Sequence, residues 1–317
     1  MRFAILISFV LSLNVFAEEK LVPPPILDVK AMNKSIDPCN DFYQFSCGGW
    51  IQSTELPAEK SALYRQWSTL DDVTDQTLAL LLRDFAAGTS KVNIRYAQEL
   101  GDAYAACLNS TTESSLNAIA KRIGKIAAIK DVTSLARVTG ELQNDGIDVL
   151  FGFYPMADIN DAEHVTAYFD QGGMGLPEQG YYFPTDRAGR KVLKAYRRHI
   201  SMMFQAIGLT QKEARHASYS VLAFETTLAK NALSIEDRRD PQVTNNPMTL
   251  DEIKKVIPEF DFQTFLATVG LGDRKNFIVS EPKFLKAMAV LSSDPEFAVN
   301  LKRYLMYRTV SAVATSA

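Results

Sequence analysis

Apolar residues recur every three or four positions along most of the chain, and this spacing constrains the fold more than any other feature. In residues 63–85, and again in residues 94–108, the apolar side chains fall on one face of a helix. Gly88 follows the first segment as a helix stop. Thr210 and Thr249 each precede a Glu by three positions, which is a capping box at a helix start. The sequence therefore predicts a mainly α-helical protein.

Residues 148–170 depart from this helical pattern. Apolar and polar residues alternate in "DVLFGFYPMADI" and "HVTAYFDQ", and turn-forming residues lie between the two segments. A glycine- and proline-rich stretch, "QGGMGLPEQGYYFP", follows directly. We therefore expect a multi-helix lobe that contains one small β-hairpin at about 148–170.

The last residues predict one more amphipathic helix. Asp294–Pro295 is a typical helix start, and the pattern continues to Ala317 without a glycine stop. A native end within the pattern and a truncated chain would both show this ending. In a dead fragment left by a frameshift, we expect the apolar face at residues 297–313 to be left open.

The first 17 residues predict a signal peptide. Arg2 precedes an apolar run that is too short to span a bilayer, and Ala17 closes a small-residue cleavage pattern. We expect an exported protein, periplasmic or extracellular, although an uncleaved segment would act as a membrane anchor. Residues 18–36 contain three consecutive prolines and predict an exposed leader.

Three cysteines, Cys39, Cys47 and Cys107, occur in a chain that is expected to reach an oxidising compartment. An odd number leaves at least one without a partner inside the chain. Spacing alone allows a Cys39–Cys47 pair across a short loop, with Cys107 as a buried thiol on a core-facing helix. Spacing alone equally allows partners outside the chain.

The residues themselves supply no catalytic or metal site. The formal net charge is −3, and no basic run indicates a nucleic-acid or phosphate-binding surface. The three histidines, His164, His199 and His216, form no His-Glu-x-x-His motif, so a zinc peptidase helix is excluded. Glu213 and His216 have the spacing of a di-iron half-site, but such sites need two copies.

Three segments carry a resemblance to a known family. Residues 37–50, "DPCNDFYQFSCGGW", with Pro57 shortly after, resemble the opening signature of the neprilysin and endothelin-converting-enzyme family of zinc metallopeptidases. Residues 170–183, "DQGGMGLPEQGYYF", and residues 245–253, "NNPMTLDEI", resemble two later elements of that family. The resemblance extends from residue 37 to about residue 310.

The resemblance implies a domain assignment. Family members are much longer than this chain, and their zinc ligands and general base lie in a second, C-terminal lobe. Residues 37–317 would then be the N-terminal lobe, truncated and incomplete relative to the family fold. In the family this lobe caps the active site and admits only small peptides. The chain is expected to hold no cofactor itself, to lack activity alone, and to have the zinc lobe and oligopeptide substrates as partners, but no nucleic acid.

The resemblance also implies roles for single residues. Family cysteines that match Cys39 and Cys47 bond near the far C-terminus, and the one that matches Cys107 bonds to a later part of the first lobe. All three partners would lie beyond Ala317. Arg65 stands near the position of a family arginine that binds the substrate carboxylate, a task suited to a guanidinium, although the surrounding sequence departs from the family pattern.

Three alternatives to an inactive peptidase lobe remain at this point. A split enzyme would acquire its zinc half in trans and would show chelator-sensitive activity only in the mixture. A non-enzymatic exported binding protein would be stable without zinc and would have a partner of its own. A dead fragment would aggregate through the open face at residues 297–313.

Overall fold

The computed structural model describes residues 28–55, 63–109, 112–292 and 296–314 of the chain. The predicted signal peptide at 1–17 lies outside the described residues, as do residues 18–27 of the leader, Pro57 and the helix start at 294–295. The chain forms two compact units that divide between Asn109 and Ser110. The segment predicted as one lobe, residues 37–317, thus contains two compact parts.

The first unit is helical in its described residues. Its elements are a 3-10 turn at Val29–Ala31, α1 at Phe42–Ser53, α2 at Arg65–Ala87 and α3 at Ala97–Leu108. Gly88 ends α2 with a φ of 67°, a left-handed conformation that glycine adopts without strain. The predicted stop is therefore confirmed.

The described part of the predicted leader packs against α1. Gly49 lies against residues 30–32, and a Cβ atom at this position would overlap their backbone. Ala31 is buried, and the N–H of Asn33 donates to the carbonyl of Phe45 at 2.8 Å. Residues 28–36 are therefore not fully exposed, because a glycine on α1 lets the preceding backbone come close.

The second unit combines ten α-helices with a four-stranded sheet in its described residues. The helices are α4 (Thr112–Ala127), α5 (Val132–Asn144), α6 (Arg187–Ala206), α7 (Gln211–Asn231), α8 (Pro241–Thr244), α9 (Leu250–Val256), α10 (Phe262–Thr268), α11 (Pro282–Leu285), α12 (Ala287–Ser292) and α13 (Phe297–Ala314). Two 3-10 turns lie at Gln179–Tyr182 and Asp237–Arg239. The predicted capping boxes at Thr210 and Thr249 begin α7 and α9. The mainly helical prediction is confirmed.

The predicted hairpin is present and forms one side of the sheet. Its strands are β1 (Phe151–Asp158) and β2 (Asp161–Gln171), which pair antiparallel. Two short strands complete the sheet in the order β1-β2-β4-β3, where β3 is Pro247–Thr249 and β4 is Asn276–Val279. Strand β4 runs parallel to β2 and antiparallel to β3. The sequence did not indicate β3 and β4, because three or four residues are too few for an alternating pattern.

Phenylalanine rings fill the space between the sheet and α10. Phe151 of β1 and Phe169 of β2 lie 5.5 Å apart between ring centroids, and Phe151 meets Phe265 of α10 edge-on at 5.2 Å. Phe262 and Phe277 approach Phe169 at 5.6 and 5.4 Å. These offset and edge-on contacts are the geometries that aromatic pairs prefer. They fix one face of the hairpin in the core.

Helix α13 is buried in the second unit. Leu301, Tyr304 and Leu305 are almost wholly inaccessible, and the helix packs against α4 and α7. The Tyr304 ring stacks on Phe224 of α7 at 4.4 Å. The expectation of an open apolar face at 297–313 is therefore wrong, because the apolar side of this helix is covered from within the chain.

The Tyr304 hydroxyl joins α13 to both ends of the hairpin. It accepts the N–H of Leu150, just before β1, at 2.9 Å, and it donates to the carbonyl of Gly173, just after β2, at 2.7 Å. Leu150 and Gly173 both have left-handed backbones, with φ of 64° and 68°. This conformation is unfavourable for leucine, so the hydrogen bond helps to hold it.

No helix among the described residues is both long enough and apolar enough to span a bilayer.

We expect Tyr304→Phe to lower the free energy of unfolding by roughly 2–6 kcal/mol. The ring and its stacking on Phe224 are retained, but two buried backbone groups lose their partner, and each such loss costs about 1–3 kcal/mol. Urea denaturation followed by circular dichroism measures the change. Tyr219→Phe is the matched control, since Tyr219 is exposed and its variant is expected within about 0.5 kcal/mol of the parent. Equal stability of the two variants would contradict a bridging role for the Tyr304 hydroxyl.

Candidate functional site at the glycine-rich segment

The glycine-rich segment, residues 172–183, is organised around a buried carboxylate. The Tyr182 hydroxyl accepts the N–H groups of Gly175 and Leu176, each at 3.1 Å, and donates to Glu225 Oε2 at 2.9 Å. Tyr196 of α6 donates to the same oxygen at 2.7 Å. Glu225, on α7, is fully buried. One carboxylate thus connects the segment to two helices.

Two glycines of this segment leave room for tyrosine hydroxyls. A Cβ atom on Gly173 would overlap the hydroxyl of Tyr304, and a Cβ atom on Gly175 would overlap that of Tyr196. Gly173 also has a positive φ, which side-chain-bearing residues rarely adopt. Glycine is therefore required at both positions, because the tyrosine hydroxyls lie where a Cβ atom would be. These close contacts restrict the backbone conformation of the segment.

Burial raises the pKa of Glu225 to about 7, because a charged carboxylate is poorly solvated inside the protein. The hydrogen bonds from Tyr196 and Tyr182 and the nearby Arg308 oppose this rise without cancelling it. Burial and the Glu225 charge together raise the pKa of Tyr182, which keeps its hydroxyl protonated as a donor. Below about pH 7, the carboxyl group of Glu225 is therefore mostly protonated.

A second polar cluster surrounds Asp170 at the end of β2. Tyr154 donates to Asp170 Oδ2 at 2.7 Å, and Arg238 Nη2 donates to the same oxygen at 3.3 Å. Arg238 Nε lies 3.6 Å from Oε1 of Glu281, and burial raises the pKa of Glu281 to about 7. Tyr154, Asp170 and Arg238 border a cleft of about 230 Å³. The guanidinium of Arg238 thus contacts two carboxyl groups beside the sheet, those of Asp170 and Glu281.

Neither cluster has the composition of a hydrolytic centre. Among the described residues, no three His, Cys, Asp or Glu side chains are placed to share a metal ion. His164 Nδ1 contacts Asp161 at 2.8 Å on the surface, and His199 and His216 are exposed on α6 and α7. Glu213 caps α7 through Thr210, as the sequence predicts. What the two clusters do is fix the shape of the glycine-rich segment and of the sheet edge.

Arg65, the predicted substrate-binding residue, begins α2 in the first unit. Its Nη2 donates to Asp28 Oδ2 at 2.9 Å, and this hydrogen bond lowers the pKa of Asp28. About a third of each side chain remains accessible. Arg65 thus binds a carboxylate of the chain itself in this structure. Its role towards substrate stays a prediction.

The three cysteines are free thiols. Cys39 and Cys107 are exposed and Cys47 is half-buried on α1, so the Cys39–Cys47 pair that spacing allows is not formed. Cys107 lies on α3, as predicted, but not on its buried side. Gly101 makes the close contact with α2, and six residues later the helix has turned to a different face.

The sequence patterns did not identify Glu225 and Glu281, although the sequence around Glu225 is unusual. It is the one acid within "VLAFETTLA", an apolar stretch of α7. An acid on a core-facing helix position needs partners of its own. Those partners, Tyr182 and Tyr196, come from other elements, and no local pattern indicates them.

We expect the free energy of unfolding to fall as the pH rises from 5 to 7. The pKa of Glu225 and that of Glu281 are about 7 in the folded chain against an ordinary value of 4.5, so the folded state binds more protons in this range. For Glu225, the slope approaches about 1.4 kcal/mol per pH unit. Glu225→Gln should remove its share of the slope in urea denaturation at several pH values. An unchanged slope would contradict the raised pKa.

We expect Gly175→Ala to lower the free energy of unfolding by about 1–3 kcal/mol, as overpacking in a core does, because the new methyl group meets the Tyr196 hydroxyl. Tyr196→Phe in the same chain should recover part of the loss. Gly124→Ala on α4 is the matched control, since nothing lies near its Cβ position and alanine favours the helix. Thermal unfolding compares the variants. A neutral Gly175→Ala would show that this close approach is not required.

Comparisons with known proteins agree with this fold. Residues 38–317 match the model of the N-terminal region of peptidase family M13. The chain is 27% identical over 301 residues to endothelin-converting enzyme 1 of Mus musculus, covering 89% of this chain and 38% of that protein. It is 26% identical over 310 residues to neprilysin-3 of Drosophila melanogaster, covering 90% and 39%. The chain therefore spans about two fifths of the length of these curated relatives.

A solved structure gives the same result at the level of the fold. The crystal structure of the Mycobacterium tuberculosis zinc metalloprotease Zmp1, in complex with an inhibitor, matches with a TM-score of 0.79 and 24% identity. The match covers 92% of this chain and 45% of that one. The family model spans most of the sequence, and the mainly helical fold is that of a solved relative. The chain belongs to peptidase family M13.

Proposed function

We propose that this chain is the N-terminal lobe of a neprilysin-like zinc metalloendopeptidase. In this proposal the lobe caps an active site that a C-terminal zinc lobe provides, and it admits only small peptides. The observation that carries the proposal is the family match over residues 38–317. The zinc metalloprotease Zmp1 is covered over 45% of its length.

The assignment of catalysis to the other lobe rests on chemistry. Zinc peptidases of this type hold the metal with two histidines of a His-Glu-x-x-His helix, and the 317 residues contain no such motif. In the buried clusters, the carboxylates of Glu225 and Asp170 are bonded to tyrosines and an arginine of the chain itself. We propose that zinc and the general base lie in the C-terminal lobe, and that this chain alone does not hydrolyse peptides.

The cysteines fit covalent attachment to that lobe. Cys39 and Cys107 are exposed and Cys47 is half-buried, so all three thiols are open to partners from outside these residues. We propose that the protein is exported to the periplasm or the cell exterior, where such disulfides form and persist. Residues 1–17 are then a signal peptide, or an anchor if they are not cleaved.

Arg65 is proposed as a contact for the substrate carboxylate. Its guanidinium already binds one carboxylate oxygen of Asp28, and an arginine presents five donors in a fork. In the complete peptidase, Arg65→Lys should raise KM for peptides with a free C-terminus more than for amidated peptides. Equal effects on both peptides would assign Arg65 to the Asp28 ion pair alone.

The proposal is tested by restoring the zinc lobe. The coding sequence beyond Ala317 is read, and the encoded zinc lobe is produced joined to this chain and separately. We expect chelator-sensitive hydrolysis of a short fluorogenic peptide by the joined protein, and none by this chain alone. A joined protein whose zinc-helix Glu is replaced by Gln is the control.

The outcomes separate the alternatives. Activity that returns when separate halves are mixed would identify a split enzyme. If the chain is stable and no zinc lobe is encoded, either after the codon for Ala317 or elsewhere in the genome, the peptidase role is contradicted and a binding protein is favoured. The size filter is tested by comparing a short peptide with a long denatured protein as substrates. Equal cleavage of the two by the joined protein would contradict it.

A further inference from the structure

Helix α6 and the start of α7 form a strongly basic surface. Residues 187–219 contain eight Arg and Lys residues but only one acid, Glu213, in a chain whose formal net charge is −3. Glu213 is occupied as the capping partner of Thr210. The overall composition gives no indication of such a surface, because acids elsewhere in the chain outweigh it.

Five of these cations line a groove of about 630 Å³ between α6 and α7. They are Lys191, Lys194, Arg197, Arg198 and Arg215. Within the residues that the structure describes, none of the five pairs with a carboxylate. Like charges this close repel one another, so the groove is left with an uncompensated positive potential.

The groove has the length of a short extended peptide. Lys191, Lys194 and Arg198 follow one face of α6, and Met202 and Gln205 continue that face along the same groove. The helix rises about 21 Å from the Cα of Lys191 to that of Gln205, at 1.5 Å for each step along the chain. An extended chain of about six residues has this length. The spacing of the cations thus suits carboxylates presented along a strand-like segment.

We infer that this basic groove binds an acidic peptide segment in extended form. Arginine and lysine would pair with Asp or Glu carboxylates, and the half-exposed Met202 would contact the aliphatic parts of the segment. The inference rests on the proposed function only for the choice of an oligopeptide as occupant. It is tested by binding without hydrolysis, so that it and the peptidase proposal can fail separately.

Two other polyanions fit the groove less well. Single-stranded nucleic acids need exposed aromatic faces for base stacking, and the Tyr219 ring face is covered by the Arg197 guanidinium at 4.3 Å. A bilayer surface would meet cations that project from a broad face, whereas these cations border a concave groove. A peptide can enter such a groove.

The test measures binding of fluorescently labelled hexaglutamate to this chain by anisotropy, with hexaglutamine as the neutral probe. We expect hexaglutamate alone to bind, and salt to weaken binding because charges at this surface are screened. Lys191→Glu with Lys194→Glu should weaken binding by about tenfold or more. Lys283→Glu with Lys286→Glu is the matched control, because it reverses two exposed lysines at the same spacing and should change binding by less than about twofold.

Other results would overturn the inference. Equal weakening by both double variants would show a response to net charge only. Binding of phosphatidylglycerol vesicles without binding of hexaglutamate would replace the peptide by a membrane surface. Hydrogen exchange on the unaltered chain gives a second measurement. Hexaglutamate should protect amides of α6 and the start of α7, and protection elsewhere or none would contradict the groove.

Discussion

The second unit depends on one buried hydroxyl group. Tyr304 of α13 accepts the N–H of Leu150 and donates to the carbonyl of Gly173, so that one side chain fixes the backbone on both sides of the hairpin. Both backbone positions are left-handed, and for leucine this conformation is unfavourable by roughly 1–2 kcal/mol. The hairpin, the glycine-rich segment and α13 therefore form one structural arrangement and are not three separate elements.

The Glu225 cluster adds specificity to this arrangement at some cost in stability. A buried carboxylate with a pKa near 7 is unfavourable in its charged form, and an apolar side chain would avoid that cost. The carboxylate, however, gives two tyrosine hydroxyls a common acceptor, and through Tyr182 it fixes the N–H groups of Gly175 and Leu176. Hydrogen-bonded polar networks favour one conformation over its near alternatives, and here they act through Glu225 Oε2, since Oε1 has no hydrogen-bond partner among the described residues. The shape of the segment follows from them.

Sequence patterns predicted the features formed by residues close together in the chain. Features formed by distant residues became visible only in the tertiary structure. The capping boxes at Thr210 and Thr249 and the hairpin turn involve residues within a few positions of each other, and they are confirmed. The partners of Glu225 are 29 and 43 residues away, which no periodicity indicates. The face of Cys107 depends on which side of α3 meets α2. The net charge of the whole chain did not indicate the basic groove, because acids far from the groove outweigh its cations in that sum.

The bridge at Tyr304 also has a consequence for synthesis. Tyr304 follows Leu150 by 154 positions and Gly173 by 131. During translation the hairpin emerges long before α13, and the two hydrogen bonds at its ends must wait for that helix. Contacts of such wide sequence separation slow folding and expose apolar surface in the meantime. The nascent chain should therefore need chaperone protection from the synthesis of Gly173 until α13 leaves the ribosome.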